Sequence, residues 1–192
     1  MGAAQDTSAP HKQVRALRVE SGAITVDGRL DDRVWAQAVW IKDFVQKRPR
    51  EGAPPTDSMR IAIVYDDDAI YVGARMYSRD PSKIQAPLSR RDNTLQAERI
   101  WVSFDSYHDR RTAYSFGVTA SGVRTDWYHA SDNENDIDFG YDPVWDAKSH
   151  TDALGWTAEM RIPFSQVRFT KEAVQVWGFN ANRWNPAKSE DD

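Results

Sequence analysis

The chain has 192 residues, a formal net charge of −4 and no cysteine. A chain of this length suits one domain and buries about 70% of its unfolded surface, so it needs no disulfides to fold. The mild negative charge argues against a nucleic-acid partner, the lack of cysteine excludes disulfides and thiolate metal sites, and no apolar run approaches the roughly 20 residues of a membrane-spanning helix.

The N-terminal segment, residues 1–20, is polar and unpatterned, and we expect a flexible tail there. Its first ten residues lack the hydrophobic centre of a signal peptide. A single domain is expected over residues 21–192. Within it, residues 23–26 are predicted as a short strand that ends at the turn pair Asp27-Gly28. Residues 30–38 are predicted as a short helix, capped by Asp31, with Trp35 facing the core.

From residue 59 onward, alternation of apolar and polar residues predicts short strands joined by turns. The strands are expected at residues 59–65, 70–77, 100–105, 112–119, 123–129, 144–147, 156–162 and 176–183, with one helical turn at 163–167. Alternation of this kind is typical of half-buried antiparallel sheets. The sequence therefore predicts an all-β fold, an antiparallel β-sandwich with one or two short helices.

The same alternation predicts which side chains face the core and which face away. The predicted core is Ile100, Val102, Phe104, Tyr114, Phe116, Val118, Trp156, Ala158, Met160, Ile162, Trp177 and Phe179. The opposite face then carries Trp101, Ser103, Ser115, Gly117, Thr157, Glu159, Arg161, Asn180, Asn182 and Trp184. Small residues between rings predict a trough where a ring stacks on a sugar and polar groups bind hydroxyls. The alternative is an internal ion pair of Glu159 and Arg161, with Arg183, beneath loops.

An acidic segment lies between Asp126 and Asp146 and contains no lysine or arginine. Its carboxylates at every second residue are Asp132, Glu134, Asp136 and Asp138. Such spacing presents hard oxygen ligands, which suit a structural Ca²⁺ ion. The alternative interpretation is a solvated acidic loop.

The sequence also contains candidate residues for two other types of site, a haem site and a glycosidase site. For a haem, Met76 and Met160 with His129 or His150 are candidate ligands, although both methionines fall at strand-core positions. For glycoside hydrolysis, the candidate pair is Asp126 or Glu159 with Asp146, yet any acidic β protein offers such pairs. No side chain resembles a nucleophile with its base, so we predict that the protein is not an enzyme.

Five segments carry a family resemblance. They are VDGRLDDRVW at 26–35, YDDDAIYV at 65–72, IWVSFD at 100–105, WTAEMRIP at 156–163 and WGFN at 177–180. In this order they resemble the family 9 carbohydrate-binding modules, which implies a jelly-roll-like sandwich and structural calcium. The segment DSYHDRRTAY at 105–114 is similar to a subgroup in which the module precedes a predicted outer-membrane β-barrel. That similarity implies a monomeric soluble domain of a bacterial envelope protein, in the periplasm or at the cell surface.

The resemblance also implies where ligand positions fall. A stacking Trp of the family corresponds to Leu95, a ligand carboxylate to Trp101, a ligand arginine to Gly117, and an amide ligand to Asn182. A second stacking Trp comes from a segment beyond Asp192, so we expect the chain to be a fragment that lacks its closing strand.

We therefore predict a non-catalytic module that binds saccharide. Trp101 and Trp184 would stack on the sugar, and Glu159, Arg161, Asn180 and Asn182 would bind its hydroxyls. The alternative function is a structural or interaction module that engages its own downstream β-barrel or a partner protein, through an unpaired C-terminal edge strand.

Overall fold

The computed structural model describes residues 12–94, 96–133 and 136–192. Most of the predicted flexible tail, the predicted calcium ligand Glu134 and Leu95 lie outside these residues. The strands are β1 (Leu17–Arg18), β2 (Trp40–Ile41), β3 (Met59–Tyr65), β4 (Ala69–Tyr77), β5 (Arg99–Asp105), β6 (Ala113–Thr119), β7 (Arg124–His129), β8 (Ile137–Asp138), β9 (Asp146–Asp152), β10 (Gly155–Pro163), β11 (Gly178–Asn185) and β12 (Glu190–Asp191). One α-helix, α1, spans Arg33–Gln37, and two 3₁₀ turns span Pro81–Lys83 and Phe164–Gln166.

The strands form two sheets. The first sheet has the order β1-β3-β4-β10-β9, with β2 also paired to β3. The second sheet has the order β12-β11-β5-β6-β7-β8. All pairs are antiparallel except β1 with β3. The prediction of a mainly antiparallel β-sandwich is confirmed.

The core lies between the two sheets and is built from the alternating residues that the sequence predicts. The buried members are Ile100, Val102, Phe104, Tyr114, Phe116, Val118, Trp156, Ala158, Met160 and Ile162. Trp177 and Phe179 pack against this cluster and are partly buried. Period-two alternation places every second side chain on the same side of a strand, which is why it identified this core.

A second, smaller apolar layer covers the outer face of the first sheet. Helix α1 and the N-terminal segment pack there, with Trp35 beside Tyr71 and Ala62. The Trp35 ring can lie here only because residue 73 is a glycine. A Cβ at position 73 would lie 2.8 Å from Trp35 Cζ3 and 2.9 Å from Leu30 Cδ2. Gly73 therefore lets Trp35 approach the sheet backbone, and this outer face is closed.

Several predicted boundaries are wrong. Residues 23–26 form no strand, because Ile24 and Val26 instead pack on the outer face of the first sheet. The helix is shorter than predicted, and Asp32 precedes it without a side-chain cap bond. Strand β1 lies inside the predicted tail, and β9 begins later than the predicted strand at 144–147. The C-terminal edge of β11 is not unpaired, since β12 pairs with it.

No helix among the described residues is both long and apolar enough to cross a membrane.

Candidate functional site

The six predicted ligand residues are divided between the two sheets. Glu159 and Arg161 lie on β10 of the first sheet, whereas Trp101 lies on β5 and the other three lie on β11 of the second sheet. All six point away from the core, so they face opposite sides of the sandwich. The prediction of one shared trough is therefore wrong. Alternation indicates which side of its own sheet a residue faces, but it does not indicate the sheet to which a strand belongs.

Glu159 is a buried structural carboxylate. Its side chain accepts hydrogen bonds at Oε1 from Trp35 Nε1 (2.8 Å) and at Oε2 from the backbone N of Asp27 (3.0 Å) and Gly28 (2.9 Å). The residue is only 1% exposed. Burial raises the pKa of Glu159 to about 7, although the three N–H donors act in the opposite direction. Glu159 therefore ties the covering layer to the first sheet and is not open to a ligand.

Arg161 is a neighbour of Glu159 on the same face, but the predicted internal ion pair between them is wrong. Arg161 Nε donates to the Tyr71 hydroxyl at 3.2 Å, and that hydroxyl donates to Asp66 Oδ2 at 3.0 Å. Within the part of the chain that the structure describes, Glu159 has no ion-pair partner. Arg161 therefore belongs to the polar margin of the covering layer.

Arg183 pairs with a carboxylate that the sequence prediction overlooked. Its guanidinium donates to Glu98 Oε1 from Nε at 3.1 Å and again from Nη2. The remaining donors reach the carbonyl oxygens of Asp57, Ser58 and Tyr77, and Trp156 Nε1 also donates to Glu98 at 2.8 Å. This fully buried pair is part of the framework beneath the second sheet.

The outer face of the second sheet carries the remaining predicted residues: its central Ser115 and Thr125 are buried, whereas Trp101, Asn182 and Trp184 are partly exposed. The strand register places Asn182, Trp101, Gly117 and Thr125 side by side across β11, β5, β6 and β7. Gly117 has no side chain, so the neighbouring Thr125 and Trp101 approach its backbone closely. A Cβ at this position would lie 2.7 Å from Thr125 Cγ2 and 3.3 Å from Trp101 Cβ. The predicted combination of small residues beside rings therefore occurs on this sheet.

Three tryptophans and one arginine stand on this face. The rings of Trp101 and Trp127 meet edge to face, with centroids 6.2 Å apart. The guanidinium carbon of Arg99 lies 5.4 Å from the ring centroid of Trp101 and 5.9 Å from that of Trp184. Trp127 Nε1 donates to His129 Nε2 at 2.7 Å, which fixes its orientation. The surface is therefore an ordered aromatic platform with a cation between two of its rings.

A shallow hollow of about 180 Å³ lies at one end of this platform. Its lining residues are Lys47, Arg48, Arg99, Trp101, Asn182, Trp184 and Asp191. Asn182 Oδ1 is buried and accepts no hydrogen bond from the described residues. A buried acceptor without a donor is uncommon, because it loses its bond to water without gaining another. The hollow is therefore lined by a side chain whose amide oxygen has no donor among the described residues. Asn180, by contrast, is exposed and lies outside this lining.

Two members of this surface, Arg99 and Trp127, were missed by the sequence prediction. Arg99 lies two residues before Trp101 on β5, so the same alternation that identified Trp101 also indicates Arg99. Trp127 lies directly across from Ser115 in the register of β6 and β7. Extending the alternation argument to β7 would have found it.

The predicted calcium ligands lie on an exposed part of the chain. Asp132, Asp136 and Asp138 are exposed, and Asp138 Oδ1 accepts a hydrogen bond from Gly140 N at 2.7 Å. No group of three or more His, Cys, Asp or Glu within residues 12–94, 96–133 and 136–192 is arranged to hold a metal. Because Glu134 is outside those ranges, the calcium site stays a prediction.

The haem and glycosidase alternatives have no matching geometry. Met76 and Met160 are fully buried in the core. Asp126 is buried beneath the second sheet, where it accepts from Arg91 and from Trp145 Nε1 at 2.9 Å, and burial raises its pKa. Glu159 is enclosed as well, so neither predicted partner of the exposed Asp146 is accessible to a glycosidic bond.

Comparison with known proteins agrees with the fold. Residues 26–191 match the family described as carbohydrate family 9 binding domain-like. No curated protein sequence matches the chain.

The chain is also similar to solved structures of carbohydrate-binding proteins. One is a family 9 carbohydrate-binding module from Caldicellulosiruptor kristjanssonii in complex with cellotriose, with a TM-score of 0.57, 19% identity, and 88% of this chain and 76% of that chain covered. The same module in complex with glucose gives a TM-score of 0.58 at 19% identity, covering 89% and 78%. A candidate carbohydrate-binding protein from Bacteroides uniformis gives a TM-score of 0.63 at 12% identity, covering 91% and 85%. At these identities the likeness shows the fold alone.

Proposed function

The chain belongs to the carbohydrate family 9 binding domain-like family, and from that premise we propose that it is a non-catalytic module that binds saccharide on the outer face of its second sheet. The similar module from C. kristjanssonii was solved with cellotriose and with glucose. In this chain the proposed site is the hollow beside Trp101, Asn182 and Trp184.

The observation that carries the proposal is the pairing of aromatic rings with an unpartnered acceptor. Trp101 and Trp184 offer apolar ring faces, and Asn182 lines the same hollow with an amide oxygen that has no donor in the described part of the chain. A sugar has the complementary pattern, with C–H groups on its ring faces and hydroxyl donors at its edge. We infer that a sugar ring stacks on one tryptophan while one of its hydroxyls donates to Asn182.

The size of the hollow suits one small part of a ligand rather than a whole oligosaccharide. Its volume of about 180 Å³ lies below the roughly 300–1,000 Å³ of pockets that enclose drug-sized molecules. The site is open on the solvent side, so a longer chain would extend along the platform toward Trp127. We infer that the hollow holds one sugar unit and the platform holds its neighbours.

Alanine substitutions test the site. We expect Trp101→Ala and Trp184→Ala each to abolish binding on a glycan array, because the stacking surface is lost. Both rings are mostly buried, so each substitution should also lower the free energy of unfolding, by about 1–3 kcal/mol, and leave the domain folded. Isothermal titration calorimetry against the best array ligand would measure the loss.

The matched control is Trp40→Ala, which removes a partly buried tryptophan from the outer face of the first sheet. We expect this variant to bind saccharide like the parent chain. Equal binding by Trp101→Ala, Trp184→Ala and the parent chain would exclude this surface as the site. Unfolding of both variants would instead show that the two rings support the fold.

A second candidate function is an interaction module, for which exposed apolar side chains at one end of the sandwich are the supporting observation. Phe139, Val144, Val174 and Val176 are between 62% and 80% exposed. Their loops adjoin, because Val144 N donates to Gln166 Oε1 at 2.8 Å. An apolar group of this kind suits contact with another protein, such as a downstream β-barrel. Retention of saccharide binding by a Val144→Ser, Val174→Ser variant would separate the two functions.

The location of the protein is also a proposal. We infer a bacterial envelope location, in the periplasm or at the cell surface, from the similarity of residues 105–114 to modules that precede an outer-membrane barrel. Fractionation of cells that produce the natural protein would test it.

A further inference from the structure

The hollow on the second sheet is positively charged in a chain whose formal net charge is −4. Its lining includes three cationic residues, Lys47, Arg48 and Arg99, and one carboxylate, Asp191. That carboxylate side chain is 5% exposed, and its Oδ2 accepts from Arg48 Nε at 2.8 Å and from Arg48 Nη2. Arg48 therefore neutralises the one acidic group of the lining, and Arg99 remains as a cation that this carboxylate does not pair with.

Arg99 is the central cation of the hollow. Its guanidinium lies between the rings of Trp101 and Trp184, and its Nη1 donates to the carbonyl oxygen of Thr94 at 2.9 Å. Among the described residues no carboxylate lies within ion-pair distance of it. Burial lowers the pKa of Arg99, and the charge of Asp191 offsets this only in part, so the guanidinium lacks a directly paired carboxylate. An anion bound here would supply that missing partner.

The position of Arg99 also indicates the kind of anion. The planar guanidinium binds a planar carboxylate through two parallel hydrogen bonds, which gives both charge and geometric selectivity. Because Arg99 lies between two stacking surfaces, its partner should be a carboxylate attached directly to a sugar ring. A uronate has this arrangement, since its carboxylate is carried by a ring carbon beside the stacking face.

We propose that the hollow selects acidic saccharides of the uronate class. The sugar ring stacks on Trp101 or Trp184, its carboxylate pairs with Arg99, and a hydroxyl donates to Asn182 Oδ1. This inference rests on the proposed saccharide-binding function and adds the charge class of the ligand. A neutral sugar in the same place would cover the guanidinium without supplying a counter-charge, and it would therefore bind more weakly.

Matched pairs of saccharides test the inference. The probes are oligosaccharides of galacturonate, of glucuronate and of alginate, each beside its carboxyl-reduced counterpart, in which every carboxylate is a hydroxymethyl group. We expect at least one acidic probe to bind about tenfold or more tightly than its reduced partner, the effect of one charge-assisted bond. Raising the salt concentration should weaken binding of the acidic probe and leave the reduced probe unchanged. Isothermal titration calorimetry measures both effects.

The variants Arg99→Gln and Arg29→Gln form the matched set. Both remove one positive charge, but Arg29 is exposed near the covering layer of the first sheet. We expect Arg99→Gln to lose the preference for the acidic probe while still binding the reduced one. Arg29→Gln should keep the preference of the parent chain. The comparison of probes on the parent chain decides the question even if Arg99→Gln fails to fold.

Two outcomes would overturn the inference, and they differ from each other. Equal or tighter binding of the reduced probe in every pair that binds would reject the uronate class while the proposed saccharide function stands. No binding to any probe, together with no binding on a glycan array of neutral sugars, would reject the proposed function as well.

Discussion

The two outer faces of the sandwich contain similar residues, but one face is covered by the N-terminal segment and the other is partly exposed. Each has a glycine in a central strand, Gly73 on β4 and Gly117 on β6, beside a tryptophan. On the first sheet the tryptophan is Trp35 from helix α1, which lies against Gly73 and closes the face. On the second sheet it is Trp101, which belongs to the sheet itself and stays partly exposed.

The difference shows that a polar, aromatic strand face does not by itself mark a binding site. Glu159 and Trp101 are both outward-facing residues, yet Glu159 is enclosed by three N–H donors from the chain's own N-terminal segment. Whether a face is free depends on what the rest of the chain places over it. On the second sheet the rings of Trp101 and Trp184 stay partly exposed beside a hollow that Asn182 also lines.

The largest expected effect comes from removing the ring that closes the first sheet. Trp35 is 2% exposed, so Trp35→Ala should lower the free energy of unfolding by about 3–5 kcal/mol through lost burial and the cavity left behind. Urea unfolding would measure this change. Saccharide binding measured well below the melting temperature should be retained. A strong loss of binding at unchanged stability would contradict the division of roles between the two faces.

A smaller effect is expected at Glu159. In Glu159→Gln the amide NH₂ must face one of the N–H donors that now bind the carboxylate, so we expect a loss of about 1–3 kcal/mol. The exposed Glu51→Gln is the matched control and should leave stability unchanged.

Glu159 also predicts a pH dependence. Its pKa in the folded protein is about 7, above the value of 4.5 for a free side chain. Between these values the folded state keeps a proton that the unfolded state releases, so the free energy of unfolding should fall as pH rises from 4.5 to about 7 and then level off. Glu159→Gln should lack this component. An identical pH profile in the parent chain and the variant would contradict the assignment.

Effects of similar size or smaller are expected from the same substitution at the two glycines. In Gly73→Ala the new Cβ meets the rigid Trp35 ring, and we expect a loss of about 1–3 kcal/mol from overpacking. In Gly117→Ala it meets the smaller Thr125 side chain, so the loss should be less, while affinity for saccharide falls because Trp101 is displaced. Thermal unfolding and calorimetry on both variants would make the comparison. Equal behaviour of the two variants would show that the second face is also covered.

Much of the fold was predictable from the sequence, because period-two alternation is a local property. Residues such as Val102, Phe116 and Met160 were placed in the core by their spacing alone, and the structure confirms them. The covering layer was not predictable in this way. Ile24 and Val26 alternate like a strand but pack against the first sheet, and only tertiary contact distinguishes the two outcomes.

The candidate site was predicted in part. Trp101, Asn182 and Trp184 lie together because β5 and β11 are neighbours, and their alternation was readable. The assignment of Glu159 and Arg161 to the same surface failed because strand order within a sandwich depends on contacts between distant residues. The pairing of Glu98 with Arg183, which are 85 positions apart, was missed for the same reason.

The hydrogen bonds of Glu159 also have a consequence for how the protein assembles. They join it to Asp27, Gly28 and Trp35, which lie 132, 131 and 124 positions earlier in the chain. At translation rates of about 5–20 residues per second, these residues are synthesised roughly 6–26 s before their carboxylate partner. The apolar residues of the N-terminal segment pack on β3 and β4, which are made soon afterwards, so only the polar attachment to Glu159 must wait until β10 has been synthesised.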